Sequence, residues 1–178
     1  MGFFGGLELM GVTNVERADP PLTADERSTL VGFLEYHRQT LLVKCADLTD
    51  EQLRRRAVPP SGLSLLGLVR HLSEVERGWF RRGVLGDGAP PLYWTEANRD
   101  GDFDDVDDAD VAAAFDEFAR ECARSREVLA TRSLDDTFVR RGETISIRWL
   151  LAHLIEEYAR HNGHADLLRE AIDGVRGE

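Results

Sequence analysis

The segment Glu157–Leu168 holds two of the five histidines of the chain, His161 and His164, and a third, His153, lies just upstream. The same stretch has a helical pattern. At about 100° per residue, with Leu154 at zero, Leu150, Tyr158, Ala165 and Leu168 all fall within roughly 40° of one line. His161 lies about 20° from the centre of that apolar stripe, and Glu157 sits at its edge one turn earlier. A carboxylate and an imidazole at i, i+4 face the same way and can share one cation. A histidine on such a stripe can also be a hydrogen-bonded core residue. The carboxylate adds weight to the metal reading, because a buried acid is costly unless it is paired or bound to an ion.

These side chains need helices to hold them. Thr23 with Glu26 three residues on reads as a capping box, opening a first helix that runs to about Asp47. Leu30, Phe33, Leu34, His37, Leu41 and Leu42 have helical spacing, and His37 reads as core or rim. Leu48 to Pro60 reads as a connection in which Arg54-Arg55-Arg56 is a solvated run of charge. Ser64 caps a second helix through about Leu85, with Leu65, Leu68, Val69, Leu72, Val75 and Trp79 as its stripe. His71 lies on the edge of that stripe. Glu76 falls near its centre and demands a partner; Arg160 is one candidate.

Gly86 to Asp108 has no helical period. A connection of that length lets the second and third helices of a four-helix bundle run parallel. Its aspartates lack the glycine and distal glutamate of a calcium loop and read as solvated. The third helix spans about Ala109 to Ala130, with Val111, Ala114, Phe115, Phe118, Cys122 and Leu129 inward. Asp135 to Glu143 allows a short extended piece. Ser146 opens the fourth helix, which ends near Asp173-Gly174, where glycine suits the C-terminal cap. The expected fold is all-α: a four-helix bundle over 21–178 with a long connection between helices two and three, preceded by a lead-in over 1–20.

Composition narrows the function. A hydrophobic content of 42% supports one core, and a net charge of −11 argues against nucleic-acid binding. No apolar run is long enough to span a membrane, and the N-terminus lacks the basic region of a signal peptide. Cys45 and Cys122 read as reduced, buried thiols of a cytoplasmic protein. The pattern is compatible with a homodimer, though no stripe demands one.

With the helices placed, four segments resemble the DinB-like superfamily: Pro20-Pro21-Leu22; Val58-Pro59-Pro60-Ser61-Gly62 through His71-Leu72; Val75-Glu76-Arg77-Gly78-Trp79-Phe80; and Arg148-Trp149-Leu150-Leu151-Ala152-His153 through Asp166. More narrowly, they resemble its actinobacterial branch, related to mycothiol-dependent maleylpyruvate isomerases and thiol transferases. The likeness covers about residues 20–175. It implies a four-helix bundle in which one histidine of helix two and an i, i+4 pair of helix four hold a divalent metal. On this chain those residues are His71, Glu157 and His161. Glutamate in the first place of the pair, where many members have histidine, matches the maleylpyruvate isomerases and lowers the site charge by one. His164 stands where the common pattern has glutamine, which makes it substrate-facing or a support for the ligands. His153 is a weaker ligand candidate.

Three protein ligands leave an open coordination position, as in catalytic zinc sites. The expected metal is zinc, with nickel as the alternative. The resemblance implies transfer of a low-molecular-weight thiol of the mycothiol type to a small electrophile. Trp79 and Tyr158 would bind the thiol or substrate, with Trp149 and Tyr93-Trp94 as further walls. A second reading is metal-dependent hydrolysis, with Glu76 or His164 as the base. A third is a stress-related metal-binding or interaction protein without catalysis, in which Glu157 and His161 form a polar network with Arg160.

Overall fold

The computed structural model describes residues 15–177, so most of the expected lead-in lies outside the described residues. The described residues are mostly helical, and the all-α class holds. In chain order they form α1 (Glu26–Cys45), α2 (Asp50–Arg54), α3 (Leu65–Glu76), a π-helical segment (Arg77–Leu85), α4 (Gly101–Asp104), α5 (Val111–Ala130), β1 (Thr137–Arg140), β2 (Glu143–Ser146) and α6 (Ile147–Asp173). Helix α1 packs on α6 and α3 on α5, and α3 also touches α6. No helix among the described residues is long and apolar enough to cross a membrane.

The helix ends have local causes. Ser64 Oγ accepts from the Gly67 amide and Ser146 Oγ from the Trp149 amide, so both serine caps form as expected. Gly174, in the left-handed region, closes α6. The first cap differs from expectation: Asp25, not Thr23, accepts from Ser28 N at 2.9 Å. Its short carboxylate sits directly before the helix, where it meets the free amides and the positive end of the dipole. Residues 17 and 18 lie against α1. Arg17 reaches Thr40 Oγ1 and lies over the Tyr36 ring, and the Ala18 amide donates to Gln39 Oε1.

Two stretches read as connections are ordered. Thr49 and Gln52 cap each other reciprocally and start α2. Arg54 Nη2 donates to Ala109 O and is half-buried, while Arg56 stays exposed and pairs with Asp107 at 2.7 Å, so the run remains at the surface with two of its three arginines tied to the 104–109 stretch. The extended piece after α5 is a two-stranded antiparallel hairpin pairing Thr137 with Ser146 and Phe138 with Ile145. The predicted second helix is α-helical only to Glu76; beyond it the turns widen into the π-helical segment that carries Trp79 and Arg82. Such widened turns often occur at functional sites.

The core joins Leu34 and Leu41 of α1, Leu65, Leu68, Val69 and Leu72 of α3, Phe118 and Leu129 of α5, and Leu150, Leu151, Leu154, Tyr158, Ala165 and Leu168 of α6. Phe115 is only half-buried, and Phe33 faces solvent. At the centre lies a fully buried carboxylate, Glu76. Arg38 grips it bidentately, Nε at 2.8 Å and Nη2 at 2.7 Å. Tyr158 donates to Glu76 Oε1 at 2.8 Å and Ser125 to Oε2 at 2.5 Å. One acid thereby ties α1, α3, α5 and α6 together. The expected partner, Arg160, is exposed and pairs with Glu156 one turn away. Arg38 wins because its guanidinium can be buried whole against the acid, satisfying both charges at once.

Candidate metal centre

Helices α3 and α6 touch, and that contact brings the three proposed ligands together. His71 Nε2 is 3.3 Å from Glu157 Oε1, and His161 Nε2 is 3.5 Å from the same oxygen. One ligand atom from each of His71, Glu157 and His161 lies within 4.8 Å of the other two. The two imidazole rings stand 4.7 Å apart, tilted by 53°. The i, i+4 pair on α6 meets the edge of the α3 stripe, the juxtaposition that the resemblance implies.

The outer face of His71 is held by a residue that the sequence reading passed over. Asp102 Oδ2 lies 2.7 Å from His71 Nδ1, and Phe103 stacks on the ring at 4.8 Å. Both belong to α4, in the connection read as a solvated aspartate run. Asp102 is 5% exposed, far from solvated. The short helix is pinned there by Arg70, whose Nη2 donates to Gly101 O at 2.8 Å. A β-carbon at Gly101 would collide with the Tyr93 carbonyl, so that turn needs glycine. An Asp followed by an aromatic, inside a loop with Gly, gave no distinct signal in the sequence.

The electrostatics fit a cation site. Burial works against a charged His71, but hydrogen bonds and charge from Asp102 and Glu157 override it and push the imidazole up to about 9. Hydrogen bonds from His161 and His71, against partial burial, hold the Glu157 carboxyl far below the usual range. The pocket thus already favours positive charge where the three ligand atoms meet. A carboxylate on the far nitrogen of a ligand histidine is the usual support of a metal site, since it fixes the tautomer that turns the lone pair inward. Two imidazoles, one carboxylate and that support match the donor set of zinc and of nickel.

His164 joins the group at its edge: its Nδ1 is 3.4 Å from His161 Nδ1. Burial, then the neighbouring His161 and Arg160, lowers its pKa. Trp79 lines a cleft of about 510 Å³ beside His71, together with Trp94 and Phe103. Two other expected site residues are elsewhere. Glu76 and Tyr158 are each 0% exposed and bonded to one another. Neither has a face open to a substrate, so the base role read for Glu76 and the wall role read for Tyr158 give way to the buried network. His153 stacks on Trp149 at 4.9 Å and stands outside the ligand trio. His37 packs at the rim, where Asn162 donates to its carbonyl. Cys45 and Cys122 are free and buried, and burial pushes both thiols up to about 12.

A mostly helical chain that gathers His, Glu and His from two helices around one point fits the class of proteins to which its motifs pointed. The family model described as mycothiol-S-transferase matches residues 29–174, and the chain belongs to that family, a branch of the DinB-like superfamily. Neither a curated protein nor a solved structure gives a match.

Proposed function

We propose that this chain is a divalent-metal-dependent enzyme that transfers a mycothiol-type thiol to a small electrophile in the cytoplasm. The four long helical stretches, α1, α3 with its π-helical continuation, α5 and α6, form the bundle of the DinB-like fold, and 86–110 links its second and third helices. The observation that carries the proposal is the convergence of His71, Glu157 and His161 within 4.8 Å, backed by Asp102. Zinc or nickel held by those three side chains would supply the Lewis acidity that makes a thiol acidic at neutral pH.

The protein's own residues do the rest. Asp102 accepts the Nδ1 proton of His71, which leaves the Nε2 lone pair for the centre. With His161 Nε2 turned the same way, its Nδ1–H is free to donate to His164 Nδ1. His164 then acts through His161, holding its ring, and is a positioning residue rather than the base. Trp79 and Phe103 present an apolar wall beside His71, which excludes water from the reacting sulfur and favours the thiolate as nucleophile. The sulfur forms a bond to the electrophilic carbon, the bond from that carbon to its leaving group (chloride in a chloroarene) breaks with the electron pair going to the leaving group, and the thiol proton goes to solvent.

The test is consumption of 1-chloro-2,4-dinitrobenzene by metal-loaded protein with and without mycothiol. A thiol-dependent rate that disappears with chelator supports the proposal. Metal-dependent turnover at equal rate without any thiol supports hydrolysis instead, and no metal binding at all supports the non-catalytic reading.

A further inference from the structure

One side of the cleft beside His71 is basic. Its lining carries Arg82, Arg99, Arg140 and Arg141 alongside Glu74, Asp100 and Asp102. Arg99 is neutralised by Glu96 and lies over the Trp94 ring. Glu74 holds Arg82 through Nη2 at 2.6 Å, but Arg82 Nη1 is buried with no hydrogen-bond partner among the described residues. Arg140 lies over the Trp79 ring, 3.9 Å from its centre. Burial, then the like charges of Arg141 and Arg82, holds the Arg140 pKa below the usual guanidinium range.

The two guanidinium groups reach one place because Gly78 lacks a side chain. A β-carbon there would stand 2.9 Å from Arg82 Nη2 and 3.8 Å from Arg140 Nη2. Leaving Arg82 and Arg140 side by side costs free energy that an anionic ligand between them would recover.

We infer that the electrophile taken by this cleft is a carboxylate, its charged group seated between Arg82 and Arg140 and its body lying along Trp79 toward His71. The inference rests on the thiol-transfer reading of the same site and narrows its substrate class. An uncharged electrophile of the same shape leaves the two guanidinium charges uncompensated and is discriminated against by at least about ten-fold.

The probes are 3,5-dinitrobenzoate and its methyl ester, titrated calorimetrically into the purified protein. The expected result is binding of the carboxylate at least about ten-fold tighter than the ester. Arg140→Gln, on the surface hairpin, and Arg82→Gln should each shrink that preference. Equal affinity for the two probes, or a preference that survives both substitutions, overturns the inference. The 4-chloro derivatives of the two probes separate it from the transfer reading. There the carbon–sulfur bond forms, the carbon–chlorine bond breaks, chloride leaves with the electron pair and the thiol proton goes to solvent. Thiol-dependent chloride release at equal rates from acid and ester contradicts the carboxylate pocket alone. Carboxylate binding with no thiol-dependent release supports an anion pocket and contradicts transfer.

Discussion

Two acids sit where α3 and α6 meet their neighbours, and their surroundings could hardly differ more. Glu76 is fully buried and spends both oxygens on a permanent cation, a phenol and a hydroxyl. Glu157 keeps 20% of its side chain exposed, and its partners are two imidazoles. Guanidinium cannot give up its proton, so Arg38 can only pair with Glu76, and the cluster is closed. Imidazoles can give up theirs and turn lone pairs inward, so the Glu157 cluster can exchange protons for a cation. The identity of the basic partner, more than the burial of the acid, separates a structural clamp from a candidate site.

The comparison breaks most visibly under truncation. Glu76→Ala strands the Arg38 charge in the core, with an expected loss of about 3–5 kcal/mol. Thermal denaturation should show that loss as a fall in Tm of roughly 10 °C. Glu157→Gln, with its partners near solvent, should leave Tm of the metal-free protein within a few degrees. Equal falls in the two variants would erase the distinction.

Asp102→Asn sharpens it. The outer support of His71 weakens, and zinc affinity should drop by about 10–100-fold with the fold intact. A competition titration against a chromophoric chelator reads this directly.

A smaller effect is expected from pH. His71 is raised to about 9 in the metal-free protein, so below that value it carries a proton that a metal must displace. Zinc affinity should therefore climb as pH rises from 7 to 9, by about ten-fold per unit for the one proton released, and flatten above 9. The same titration, repeated across that range, checks the sign. In the metal-free protein the raised pKa acts the other way. Its contribution to folding is full below about 6.5, the ordinary histidine value, and is lost as pH rises through about 9.

What could be read in the sequence was local. His161 and Glu157 follow from a single helical period, and Ser64, Ser146 and Gly174 mark helix ends by chemistry within three residues. His71 came from the edge of one stripe plus the superfamily resemblance. The α2 capping box, Thr49 with Gln52, carried the same kind of signal and was passed over beside the arginine run. What failed was long-range. Asp102 reaches a histidine 31 residues away, and Arg38 reaches an acid 38 residues away. Neither spacing has a periodic signature, because tertiary packing decides which of many acids and arginines meet. The widening at Arg77 left no trace either, since Leu65 to Leu85 keeps helical periodicity throughout.

Elemental analysis of zinc-loaded, desalted protein tests the metal centre most directly. The wild-type chain should retain about one zinc ion, while His71→Ala and His161→Ala, still folded by circular dichroism, should retain almost none. Undiminished zinc in both variants would contradict a shared cation at these side chains.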